Sequence, residues 1–159
     1  MSLDDWIQAL HLLAAFLFVG AILGFWAMVI AGWRNDRPGD VRAIFRLNPY
    51  LTASVGVGSV ATLVFGIWLA ISLDAYEVWD GWVIAAIVLW LVVAAAGGRA
   101  GAVYARAETR ADELLQAGSD GASPELRALA RTGQGLVLQT IATVAALLIL
   151  ADMIWKPGA

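Results

Sequence analysis

His11 is the only histidine in a chain of 159 residues that contains no cysteine. Thiolate metal sites and disulfides are thereby excluded, and acid–base or ligand chemistry near neutral pH falls to a single imidazole. His11 lies inside a long uncharged run, and an ionisable residue in such a run marks a functional site whose partner has to be named. Gln8, Ala15 and Phe18 share its helical face. Asp152 and Met153 reach a similar depth if the last apolar run returns antiparallel to the first, which makes Asp152 an available ion-pair partner. Three roles fit His11. It can be a hydrogen-bonded packing residue. It can ligate copper or a haem iron together with Met153. It can also exchange a proton with a quinone or another lipid-soluble substrate.

Other chemical templates are missing. The chain has no P-loop, no Gly-x-Ser-x-Gly, no zinc-ligand spacing and no carboxylate pair inside an apolar run. No charged residue falls in the middle of such a run, so the usual marks of a transport pathway are absent too. A net charge of −3 without a basic cluster argues against nucleic acid as a partner. These residues point to a structural or binding protein rather than an enzyme, with no catalytic residue and no dedicated metal site.

The elements that must position His11 follow from composition. Hydrophobic residues make up 61% of the chain and charged residues 14%, against about half and about a quarter in soluble domains. The excess is gathered into four uncharged runs, Trp6–Trp33, Leu47–Leu73, Gly81–Gly98 and Thr132–Ala151. About 20 apolar residues suffice for a helix to cross the hydrocarbon, and in lipid a continuous apolar run must be helical to satisfy its own backbone. The expected fold is therefore all-α, a four-helix transmembrane bundle in one integral membrane domain. Its spans are about 6–33, 47–73, 80–102 and 132–155. The acidic leader Met1–Asp5 and the length of the first run are unlike a secretory signal.

Charge sets the orientation. Arg34, Arg37, Arg42 and Arg46 lie between the first two spans, and Arg99, Arg106, Arg110, Arg127 and Arg131 lie between or beside the last two. Only Lys156 lies opposite, with Asp4, Asp5, Asp74, Glu77, Asp80 and Asp152. The positive-inside rule places the basic segments in the cytoplasm and both termini outside. Trp6, Trp79, Trp82 and Trp155 mark the outer interface, Trp68 lies slightly deeper, and Trp33 marks the inner interface. Trp26 and Trp90 are deeper still, placed to line a pocket or to face lipid.

Packing signals are local. Ser54, Gly58, Thr62, Gly66 and Ala70 form a small-residue stripe on span two. Gly20 and Gly24 on span one, and Gly97 and Gly101 on span three, repeat the same close-approach spacing. Such faces serve packing within the chain or an interface with a second copy or another membrane protein. Asn48-Pro49 is expected to cap and start span two, with a short helix before it from about Asp40. Apolar residues at helical spacing, Gly118 as a stop, and Ser123-Pro124-Glu125 as a new start predict a cytoplasmic helical hairpin over about 100–131. Gln139, Thr140 and Thr143 give span four a mild polar face suited to interhelical hydrogen bonds.

Three segments also look familiar: Trp6–Gly20 (WIQALHLLAAFLFVG), Leu63–Ala70 (LVFGIWLA) and Trp79–Ala86 (WDGWVIAA). They resemble a family of bacterial four-helix predicted integral membrane proteins of unknown function, common in actinobacteria. More distantly, the His-then-Gly pattern of span one is similar to the CopD copper-resistance proteins and the HemJ-type membrane oxidases. The resemblance implies a multi-pass protein of the bacterial inner membrane, embedded in the lipid bilayer. Its distant part implies copper or haem near His11. The oxidase pattern also calls for a lysine in a later span, where this chain has none.

Overall fold

A computed structural model describes residues 2–72 and 79–155. Asp74, Glu77 and Lys156, used above for orientation, lie outside the described residues. The structure is helical throughout its elements: α1 (Leu3–Trp33), α2 (Pro38–Phe45), α3 (Asn48–Ser72), α4 (Gly81–Gln116), α5 (Pro124–Ala130) and α6 (Gly133–Trp155). Four helical stretches are long and apolar enough to cross a membrane. At 1.5 Å per residue, α1 is about 46 Å long and α4 about 54 Å, against a hydrocarbon core of about 30 Å. Both are therefore longer than the hydrocarbon core is thick.

The caps explain where the helices begin and end. Ser2 and Asp5 form a reciprocal capping box, with Ser2 N donating to Asp5 Oδ2 at 2.7 Å and Asp5 N donating to Ser2 Oγ at 3.2 Å. At the end of α4, Gly118 takes φ +75°. Its N–H bonds Leu115 O and that of Ser119 bonds Leu114 O, which satisfies the last carbonyls. Ser123 Oγ then accepts from Leu126 N, with Pro124 in the first turn of α5.

The helices pack mainly as two antiparallel pairs, α1 with α3 and α4 with α6, and α3 meets α4 along a sparser seam. Phe18 and Ile22 of α1 join Val93 of α4 and Ala145 and Ala146 of α6 in one core cluster, which ties the pairs together. A second cluster gathers Phe25, Met28 and Val29 of α1 around Val41 and Phe45 of α2, Tyr104 of α4 and Leu126 of α5. Tyr104 stacks on Phe45 and meets Phe25 edge-on, both at ring-centroid distances of 5.9 Å.

Two local expectations change in detail. The extension of spans three and four is not a plain hairpin. The return limb α5 is short and stops before α6 begins at Gly133, and α2 packs against α4 beside it. The reason is that Val41 and Phe45 supply the apolar surface against which Tyr104, Ala107 and Ala111 are buried. Asn48 is the first residue of α3, but its side chain does not cap that helix. It is buried, and its Nδ2 donates to Gly101 O of α4 at 3.1 Å. Gly101 permits this approach, because a Cβ there would come within 2.9 Å of Thr52 Oγ1.

All the basic segments lie at one end of the bundle and are joined to each other. Asp36 pairs with Arg127, and Arg42 pairs with Asp112. Arg110 bridges Glu113 at 2.7 Å and Glu125 at 2.9 Å. Arg131 Nε donates to Trp33 O at the end of α1, 2.9 Å away, where a cation also meets the negative end of the helix dipole.

Candidate functional site

His11 sits on α1 against α3, and glycine makes the seat. A Cβ at Gly66 would lie 3.0 Å from His11 Cε1 and 3.4 Å from Nδ1. About two turns along, a Cβ at Gly58 would lie 2.8 Å from the backbone nitrogen of Phe18. Between them, His11 Nδ1 is 2.9 Å from Thr62 O. A carbonyl can only accept, so Nδ1 carries the proton and donates. The small-residue stripe from Gly58 through Thr62 to Gly66 is thus the surface on which α1 lies.

That hydrogen bond fixes the ring. With Nδ1–H engaged, the neutral imidazole presents Nε2 as an acceptor, and Nε2 has no hydrogen-bond partner among the described residues. The ring borders a cavity of about 220 Å³ to which all four spans contribute. Ala15 and Phe18 come from α1, Thr62, Gly66 and Ala70 from α3, Trp82 and Trp90 from α4, and Ala146 and Met153 from α6. The wall is apolar apart from a few groups, the usual character of a small-molecule site.

The structure brings some of the sequence-derived residues together and separates others. His11 and Met153 line the same cavity. Asp152 is not the partner of His11. The histidine-bearing half of α1 packs on α3, where a backbone carbonyl accepts the Nδ1 proton. Among the described residues, no group of three or more His, Cys, Asp or Glu side chains could hold a metal. Ser54 and Ala70 continue the α3 stripe, with Ala70 buried. On α1, Gly24 approaches Leu51, whereas Gly20 meets nothing. On α4, Gly97 approaches Ala142.

Tryptophan divides into two roles. Trp6, Trp79 and Trp155 are largely exposed at the end where α1 begins, as interface anchors should be. Trp82 was expected beside them but is only 6% exposed and lines the cavity. Trp26 Nε1 donates to Thr143 Oγ1 at 2.9 Å, an α1–α6 hydrogen bond, and Thr143 in turn donates to Gln139 O. Trp90 Nε1 donates to Ser59 O at 3.2 Å, across the α3–α4 seam.

Thr52, Gly56 and Ser59, which sequence reading passes over, meet Gln139 of the polar face of span four on the far side of Trp90. A second cavity of about 260 Å³ is lined there by Thr52, Gly56, Ser59 and Val60 of α3, Ala94 and Gly98 of α4, and Gln139 of α6. Ser59 and Trp90 border both cavities. The spacing of Thr52 and Ser59 places them on one helical face, but nothing in the sequence says that this face meets a gap.

A search of curated proteins and a search of solved structures each return no match. One family model matches residues 5–157, nearly the whole chain, and its description is "Predicted integral membrane protein (DUF2269)". Four membrane-length apolar helices and a match of that extent lead to one assignment: the chain belongs to this family of multi-pass integral membrane proteins of unknown function.

Proposed function

We propose that this protein binds an uncharged, lipid-soluble molecule in the cavity beside His11, and that Nε2 of the ring accepts a hydrogen bond from the ligand's polar end. The observation that carries this reading is the pairing of His11 Nδ1 with Thr62 O, which leaves Nε2 open on a cavity lined by every span. An imidazole nitrogen that borders an apolar cavity with no donor to meet it leaves hydrogen-bonding capacity unused, and a ligand with a donor uses it. Among the described residues no charged side chain lines the cavity, so an ionic ligand would enter without a counter-charge from them.

The setting proposed with it is a bacterial inner membrane, with both termini outside and the Arg-rich segments in the cytoplasm. The joining of all the basic segments at one end of the bundle supports this.

The test is extraction. Protein purified from its own membranes is denatured in organic solvent, and the extract is analysed by mass spectrometry for wild type and His11→Ala. A lipid-soluble species present in stoichiometric amount in wild type and depleted in His11→Ala is expected. An extract that matches bulk membrane lipid for both proteins would overturn the proposal.

A further inference from the structure

The second cavity, the inner of the two in the orientation proposed above, has a polar complement of its own and does not touch His11, which borders the outer one. Gln139 lines it while only 4% exposed, which places a carboxamide, both donor and acceptor, deep in an apolar wall. Thr52 also lines it, and its Oγ1 is shielded with no hydrogen-bond partner among the described residues. A buried hydroxyl is rarely left in this condition and asks for a partner. Among the described residues no charged side chain borders the cavity.

The cavity also has a way in. Gly56 and Val60 on α3 and Ala94 and Gly98 on α4 border it and are exposed on the outside of the bundle. A Cβ added at Gly56 or at Gly98 would meet nothing within 4 Å. The seam between α3 and α4 is therefore open toward lipid at this depth. Toward the other cavity, the Trp90–Ser59 hydrogen bond forms the partition.

We propose that this inner cavity is a second binding site, for an uncharged long-chain lipid with a hydroxyl head group. The lipid enters from the bilayer between α3 and α4, and its hydroxyl both donates to and accepts from Gln139, with Thr52 at the wall beside it. A hydroxyl matches the carboxamide because it offers one donor and two acceptor lone pairs. A carboxylate would arrive charged, with no cation to meet it.

A photoactivatable diazirine analogue of hexadecanol, added to the protein in phosphatidylcholine vesicles, tests this directly. Adducts mapped by mass spectrometry should concentrate on residues 55–60 and 94–98 and be competed by hexadecanol but not by palmitate. Gly56→Leu adds a side chain at the cavity mouth, where its Cβ meets nothing within 4 Å, and it should abolish that labelling; Gly98→Leu is the second variant should the first not fold. Gln139→Leu should weaken labelling roughly thirtyfold, the effect of about 2 kcal/mol from two hydrogen bonds of about 1 kcal/mol each. His11→Ala should leave the labelling unchanged, so this site and the outer one fail separately. Labelling that survives both leucine variants, or that spreads evenly over lipid-facing positions, would overturn the site. Competition by palmitate, or full labelling of Gln139→Leu, would overturn the hydroxyl assignment.

Discussion

At the scale of single residues, the chemistry depends on how one imidazole is held. Its importance is legible in the sequence, because a lone histidine inside an uncharged run needs a reason. Its partner is not legible. Every residue carries a carbonyl, and only the fold can say that the one at Thr62 faces the ring. Side-chain reasoning turns to Asp152 because a carboxylate is visible in a sequence and a backbone oxygen is not. Gly66 is the residue that makes the seat, and Gly66→Leu is expected to push the ring off Thr62. The cost is about 1 kcal/mol for the hydrogen bond plus about 1–3 kcal/mol for overpacking. Steric trapping in bicelles measures the stability loss, and the ligand extract of this variant should resemble that of His11→Ala. An unchanged extract would show that the seat does not matter for binding.

At the scale of helices, the spans and their approximate ends are readable from uncharged runs, tryptophans and caps. Gly118 and Ser123 act as stop and start through the hydrogen bonds their residue types imply. Which helices are neighbours is a different matter, because lipid tails are as apolar as leucine and the pattern of apolar residues does not distinguish a lipid-facing side from a packed one. The α3 stripe shows that something approaches closely but not that it is α1. Gly58→Leu tests this pairing: its side chain meets the backbone of Phe18, which cannot rotate away. A loss of about 1–3 kcal/mol is expected, well above that of Gly20→Leu, whose Cβ meets nothing. Equal losses would contradict the α1–α3 contact. Asn48 gives a second test at this scale. Asn48→Ala removes the bond to Gly101 O and should cost about 0.6–2 kcal/mol, the range of interhelical hydrogen bonds in membranes, whereas a helix cap would be largely restored by Asn48→Gly.

At the scale of the molecule, the sorted charges become a structure. The same arginines on which the proposed orientation rests also pair with Asp36, Asp112, Glu113 and Glu125, which join α2, α4 and α5 into a cap over one end of the bundle. Exposed pairs of this kind contribute little individually, about 0.2–1 kcal/mol each, so the cap relies on the aromatic cluster at Tyr104 beneath them. In intact cells, a cysteine at Gly121 should resist a membrane-impermeant thiol reagent while one at Ser2 reacts; the reverse pattern would invert the proposed orientation. The sparse α3–α4 seam, and with it the two cavities, is a property of the assembled bundle that no single run of residues records. Whether the four spans close around an imidazole with an open Nε2 is read most directly by solid-state NMR of 15N-histidine-labelled protein in liposomes, since His11 gives the only signal. A protonated, pyrrole-type Nδ1 and a bare, pyridine-type Nε2 that shifts when the native lipid extract is added back are the predicted result. A proton on Nε2 with Nδ1 bare, or a ring unaffected by the extract, would contradict it.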